Sequence, residues 1–468
     1  MVNFISLLLI SATSAAVSKE AVLGPESEYK TMYFTQPVDH INRNPGTFQV
    51  KALVRTGDPD APMFVYTGNE GPIEQFFRMT GWLTGYLGPK YNATVAFIEH
   101  RYYGDSQISP FTWDYLDSTQ ALWDYADITR QLKPKPSTPV IAIGGSYGGM
   151  LSAFFRIKFP HIVDGAIASS APVIMAFNNG KGYSDIVTLD YNQVDKNCPE
   201  NIESGFTVLE TLATRPMTYS AVEGIFKPCQ SITSQADIYQ LEDWITNAIM
   251  TIAQYNYPYK ADVYGELPAY PVNASCSIMA EYIAPPSNVW RKLSGLYQIA
   301  NLFYNSTGDK TCFDIYGTTA SVGRTWTYQT CTEFLMPLGQ YGPPNDIFPK
   351  RPWNQQMWEK QCKAMFGVEN KPSWEEINYG MIQEYQRTLK FASNIVFSYG
   401  TEDPWKVGCL KQQINTETLV LEIQGAAHHL DLRTPTSKDP QSVKNAREKE
   451  EELIQQWISN KRFRPINY

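Results

Sequence analysis

Histidine is scarce in this 468-residue chain, with copies only at positions 40, 100, 161, 428 and 429, so a reaction that needs an imidazole base has few places to find one. Beyond the N-terminus no apolar run approaches the roughly twenty residues of a membrane-spanning helix, which excludes a helical anchor there. Positive charge is outnumbered, 39 Lys and Arg against 47 Asp and Glu for a net charge of −8, which argues against nucleic acid as a partner. None of the seven cysteines precedes residue 198, and zinc-ligand spacing is missing. No metal or cofactor is expected, and disulfides in an oxidising compartment are the natural reading, with their pairing left open by spacing alone. Repeats and low-complexity linkers are also lacking.

What is present fits a secreted globular enzyme. A hydrophobic content of 43% over this length supports a large core and exceeds the usual single domain. Residues 1–16 contain an apolar core and end in Ser14-Ala15-Ala16, a small-residue cleavage site, so they read as a signal peptide even though no Lys or Arg precedes the core. Asn-x-Ser/Thr sequons stand at Asn92, Asn273 and Asn305. The expected location is the secretory pathway, extracellular or lysosomal.

The chemistry is concentrated in a few strand-to-loop junctions. An apolar run at 140–143 enters Gly144-Gly145-Ser146-Tyr147-Gly148-Gly149, the Gly-x-Ser-x-Gly form of a nucleophile elbow, with Ser146 as nucleophile. An α/β-hydrolase requires the order Ser, Asp or Glu, His. Of the histidines beyond Ser146, His161 leaves no room for an acid-bearing strand, so the base is His428 or His429. A buried strand at 394–399 leads into Gly400-Thr401-Glu402-Asp403-Pro404, where Asp403 is the candidate acid, and a second run at 419–423 leads to the two histidines. A serine needs a neutral imidazole to take its proton, and the carboxylate sets the tautomer. A third strand, 63–67, enters Gly68-Asn69-Glu70-Gly71-Pro72, where Gly71 would supply one oxyanion N–H and Tyr147 the other. The stretch after the strand at 94–98 reads as a scaffold ion-pair network.

These segments carry a resemblance. Gly68-Asn69-Glu70-Gly71, Glu99-His100-Arg101-Tyr102-Tyr103-Gly104, Gly144-Gly145-Ser146-Tyr147-Gly148-Gly149-Met150, Asp403-Pro404-Trp405 and Gly425-Ala426-Ala427-His428-His429-Leu430-Asp431-Leu432-Arg433 resemble the lysosomal Pro-X carboxypeptidase and dipeptidyl peptidase II family of serine peptidases, over nearly the whole mature chain. The resemblance implies an α/β-hydrolase fold with an inserted, mostly helical cap, and exopeptidase cleavage beside proline. It makes His428 rather than His429 the base and sets His429 and Arg433 in a supporting polar network. It places Met150, Met336 and Trp405 around the proline ring, positions that by sequence alone read as core packing. It pairs Cys198 with Cys276, Cys229 with Cys312 and Cys331 with Cys362, and leaves Cys409 free. Many relatives have an acidic residue where this chain has Pro72.

A dipeptidyl peptidase must hold a substrate ammonium with carboxylates, for which Glu70 and Asp346 are candidates, whereas a carboxypeptidase holds a terminal carboxylate. Both directions stay open, as do an esterase or lipase with the same triad and a catalytically silent binding protein. Expected partners are proline-containing peptides, with a homodimer as the one assembly considered. The expected organisation is a hydrolase part at 17–177, a helical cap at 178–330, signalled by the apolar spacing of Ile238, Leu241, Trp244, Ile245 and Ile249, and a second hydrolase part at 331–468 closed by an amphipathic helix at 448–458.

Overall fold

The computed structural model describes residues 28–462 except 43–44, 179, 264, 283–287, 318–320, 370–373 and 382–388; the expected signal peptide lies outside them. Eight strands form one sheet: β1 (Lys30–Pro37), β2 (Thr47–Arg55), β3 (Met63–Thr67), β4 (Thr94–Ile98), β5 (Val140–Gly145) and β6 (Gly165–Ser169), then, after a two-residue hairpin of β7 (Ala261–Asp262) and β8 (Glu266–Leu267), β9 (Ile395–Gly400) and β10 (Thr418–Ile423). The order is β1-β2-β4-β3-β5-β6-β9-β10. Pairing is antiparallel for β1 with β2 and β2 with β4, and parallel for every other neighbour. This mostly parallel sheet covered by helices is the expected α/β-hydrolase fold.

The central strands are apolar on both faces because both are covered: every residue of β3, β4, β5 and β9 is buried. Two apolar clusters, one per face, carry the packing. The helix Ser118–Leu132 covers one face, its first turn capped by the Asp117 carboxylate on Gln120 N–H. The closing helix Gln441–Arg462 presses Trp457 against β6, where a Cβ on Gly165 would lie 2.0 Å from the indole. Only glycine permits that approach.

Two differences from the sequence reading concern strands. Neither β1 nor β2 is announced by the residues, because β1 sits at the sheet edge with only Phe34 and Gln36 buried, and its place depends on pairing with β2. Asn394, read as strand, has φ 58° and turns the chain into β9 at Ile395.

Between β6 and β9 most of the regular structure in the described chain is helical; the exceptions are the β7–β8 hairpin, two isolated bridges and an irregular stretch at 333–354. The helix Gln235–Gln254 begins with a reciprocal Ser234/Asp237 capping box, and Ile238, Leu241, Trp244, Ile245 and Ile249 all face inward. Disulfides Cys198–Cys276 and Cys229–Cys312 close spans of 78 and 83 residues there. Cys331–Cys362 joins the helices Ser321–Thr332 and Gln355–Phe366. By chain-entropy arithmetic each long closure contributes about 4.5 kcal/mol through the unfolded state. All three pairings are those the resemblance implied. No helix among the described residues is long and apolar enough to cross a membrane.

Candidate active site

Ser146 follows β5 and precedes the helix Tyr147–Lys158 with φ 59° and ψ −128°, a conformation that L-residues rarely adopt. Its surroundings show why glycine flanks it. A Cβ at Gly144 would lie 2.1 Å from Gly148 O, one at Gly148 would lie 2.3 Å from Asn69 Oδ1, and one at Gly149 would lie 2.8 Å from Ser169 O. The turn is clamped from β3 and the loop after it. Thr67 Oγ1 donates to Gly148 O (2.7 Å), and Asn69 Nδ2 donates to Gly145 O (2.7 Å) while Asn69 Oδ1 accepts from Tyr66 Oη (2.9 Å). Gly68 is fixed in turn by its N–H on Ile98 O and by Tyr125 Oη on its carbonyl. Asn69 thus ties the Gly71 loop directly to the serine turn. Tyr147 opens the helix, where its backbone N–H has no intrahelical acceptor and sits at the positive end of the dipole.

Asp403 is fully buried after β9. Its Oδ1 accepts from Trp405 N–H (2.9 Å) and its Oδ2 faces His428 Nδ1 (2.9 Å). That contact makes Nδ1 the protonated nitrogen and leaves Nε2 to accept. The acid and base loops are in direct contact, since a Cβ on Gly400 would lie 1.9 Å from Ala426 O. The helical region holds the base as well. His428 N–H donates to Gln254 O at the end of the helix Gln235–Gln254 (3.1 Å), and Tyr257 Oη donates to His428 O (2.7 Å). Among the described hydrogen bonds none involves Ser146 Oγ; in resting hydrolase sites that bond is commonly long and tightens with substrate.

Residues 36–450 match the family described as serine carboxypeptidase S28. The chain belongs to that family. Among its relatives, the bovine (Bos taurus) lysosomal Pro-X carboxypeptidase is 35% identical over 455 residues, covering 92% of this chain and 89% of the relative. The human (Homo sapiens) lysosomal Pro-X carboxypeptidase is 36% identical over 454 residues, covering 92% and 88%. A Caenorhabditis elegans prolyl carboxy peptidase like protein 5 is 35% identical over 495 residues, covering 98% and 95%. The S28 chain is therefore a serine-type exopeptidase.

The other candidate residues of this S28 peptidase fall in several places. His429, at φ 40°, donates its N–H to Ser170 Oγ (2.8 Å) and packs its ring on Gly145. Burial, with His428 and Arg433 nearby, holds its imidazole well below the ordinary value, so it is neutral. Arg433 lies over the Tyr257 ring, 5.1 Å to the centroid. The turn that carries these residues is gripped by Arg447, whose guanidinium donates to the carbonyls of Leu430, Asp431 and Arg433. Asp431 accepts from Ser169 Oγ (2.6 Å) and Ser398 Oγ (2.5 Å), binding the turn to β6 and β9. Asn69 falls within a motif quoted from the sequence but its role does not show there, and Gln254 and Tyr257 go unsignalled because each acts on His428 from far along the chain.

Trp405 stands beside the base, 6.5 Å between ring centroids, and beside Tyr183 at 5.1 Å. Met150 and Met336 are buried in the same apolar cluster as Trp405. Glu70 is half-buried, with Oε2 shielded and unpartnered; burial raises its carboxyl above the ordinary range and His428 pulls it back. Asp346, the other candidate amine partner, accepts the N–H groups of Tyr341, Gly342 and Phe348 with its carboxylate and so organises a turn. The expected scaffold network at 99–106 is present as a buried pair, Arg101 Nε and Nη2 on the two oxygens of Asp124 at 2.7 and 2.8 Å, extended by His40 Nε2 at 2.7 Å. Asn92 and Asn273 are exposed; Asn305 is half-buried, its Nδ2 donating to Asn301 Oδ1 (3.1 Å).

Proposed function

We propose that this S28 peptidase cleaves beside proline at a peptide chain end through an acyl-enzyme, with Ser146, His428 and Asp403 as its triad. The observation that carries the reading is a buried carboxylate 2.9 Å from His428 Nδ1, on loops that converge with a serine at positive φ. His428 Nε2 takes the Ser146 Oγ proton as Oγ bonds to the scissile carbonyl carbon. The tetrahedral oxyanion is held by the N–H groups of Tyr147 and Gly71. The leaving amine departs with the proton from Nε2, and water, activated by the same nitrogen, releases the acyl peptide and restores the serine. Met150, Met336 and Trp405 form the apolar slot for the proline ring, with the His429 and Arg433 network behind the base. The helical region at 178–330 acts as a cap that admits chain ends, and the exopeptidase works in the secretory pathway, in the lysosome or outside the cell.

The relatives' names favour removal of a residue after proline from the C-terminus. The unpartnered Glu70 Oε2 favours a second reading, in which a free substrate amine is bound and dipeptides are released. Incubating the protein and its Ser146→Ala variant with an N-blocked peptide ending in Pro-Phe and with an unblocked Xaa-Pro reporter amide separates them. Serine-dependent loss of Phe supports the carboxypeptidase, reporter release the dipeptidyl peptidase, and cleavage of neither removes the proline reading.

A further inference from the structure

The Tyr147 side chain lies in a buried ring cluster with Trp326, Phe334 and His100 at centroid distances of 4.9, 5.2 and 5.6 Å. Its hydroxyl has two partners, His100 Nε2 at 3.0 Å and Gln329 Nε2 at 2.9 Å. The proton positions follow from the donor inventory. His100 Nδ1 lies 2.7 Å from Arg101 O, a carbonyl that only accepts, so Nδ1 carries the hydrogen. The ring is fully buried, and burial lowers its pKa to about 4, so it is neutral and Nε2 offers a lone pair. The Tyr147 hydroxyl therefore donates to His100, and its remaining lone pair accepts from the Gln329 amide. Gln329 is itself oriented from both ends: its Oε1 accepts from Tyr103 Oη at 2.5 Å, and its Nε2 also donates to Glu333 Oε1 at 3.1 Å. No proton in the sequence Gln329, Tyr147, His100, Arg101 carbonyl can be reversed while every bond is kept.

From this directional clamp we infer that Gln329, on the helix Ser321–Thr332, and His100, at the end of β4, are positioning residues for the oxyanion donor: they hold the Tyr147 side chain so that its backbone N–H keeps its aim. The inference rests on the proposed role of that N–H. Tyr147 is one residue from the nucleophile, and its ring is the lever by which the first turn of the helix would rotate. The described side-chain hydrogen bonds of Gln329 and His100 go to Tyr103, Tyr147, Glu333 and the Arg101 carbonyl, none of them to a triad residue.

The test compares Tyr147→Phe, Gln329→Leu, His100→Leu and His100→Gln with the parent enzyme, using kcat, KM and the inhibition constant of a proline boronate, whose tetrahedral adduct occupies the oxyanion site. Circular dichroism establishes that each variant is folded at the assay temperature. Since complete loss of an oxyanion donor costs about 10² to 10³ in kcat, a donor that is displaced but retained should cost roughly tenfold. The expected result is that fall in kcat for Tyr147→Phe and Gln329→Leu, KM within twofold, and a boronate constant raised by the same factor. His100→Gln, whose amide oxygen can accept from the hydroxyl, should recover most of what His100→Leu loses. Folded variants with kcat within twofold of the parent, or losses that appear in KM alone, overturn the inference. If the parent cleaves no proline peptide, the proposed function fails separately, and the rate of fluorophosphonate labelling of Ser146 in the same variants decides the clamp: about tenfold slower labelling upholds it and an unchanged rate overturns it.

Discussion

Replacing Asp403 by Asn should lower kcat by about 10⁴, equivalent to roughly 5.4 kcal/mol of transition-state stabilisation at about 1.36 kcal/mol per decade. The size follows from which way the new amide must point. Oδ1 of Asp403 accepts from Trp405 N–H at 2.9 Å in a site closed to solvent, so the amide oxygen has to stay there. The NH₂ group then replaces Oδ2, 2.9 Å from His428 Nδ1. A donor facing Nδ1 forces the ring into the tautomer with hydrogen on Nε2, the nitrogen that must accept the Ser146 proton. Because the loop is otherwise unchanged, KM should stay within about threefold and the melting temperature near that of the parent. Glu402→Gln is the control: the adjacent carboxylate accepts from Asn256 Nδ2 at 3.1 Å, away from the base, and its neutralisation should leave kcat unchanged. Steady-state kinetics on a proline peptide at the parent's optimum pH would decide. An Asp403→Asn enzyme within tenfold of the parent, or a Glu402→Gln enzyme that loses as much, would refute the assignment of acid and tautomer.

Asp190, buried with both oxygens unpartnered, has its carboxyl pushed up to about 9 by burial and then by Glu402. Between the ordinary carboxylate value and about 9 the folded state keeps a proton that the unfolded state has released, so Asp190 makes stability fall as pH rises through that window, by at most about 1.4 kcal/mol per unit. Asp190→Asn should remove that slope, so thermal melts should show its advantage over the parent growing from pH 5 to pH 7. Gly165→Ala drives a methyl into Trp457 and should cost about 1–3 kcal/mol by urea unfolding, with activity per folded molecule kept. Cys409 is buried, its thiol raised by burial and turned toward Trp405 O at 3.5 Å; the native enzyme should resist iodoacetamide, and Cys409→Ser should stay active, whereas rapid native labelling would contradict a shielded thiol.

What was legible in the residues is local. Gly144, Gly148 and Gly149 are readable as an elbow because a turn that sharp rejects side chains, whatever surrounds it. The strands β3, β4 and β5 are readable because burial on both faces demands uninterrupted apolar runs. The order of Ser146, Asp403 and His428 is a property of the chain itself, and so is the shortage of histidines that narrowed the base to two.

The sequence by itself therefore determined the fold class, the candidate nucleophile and acid, a base narrowed to two histidines, and which strand ends carry them, since the turns and strands depend on steric or burial rules that act within a few residues. Only the tertiary structure decided what holds them. Tyr257 supports His428 from 171 positions away, Gln329 reaches Tyr147 across 182, and Asn69 clasps Gly145 across 76. The three backbone N–H groups that gather on the Asp346 carboxylate were likewise invisible in the residues. Hydrogen bonds need partners at about 3 Å with the right donor facing the right acceptor, and no residue announces which distant neighbour folding will bring to that distance.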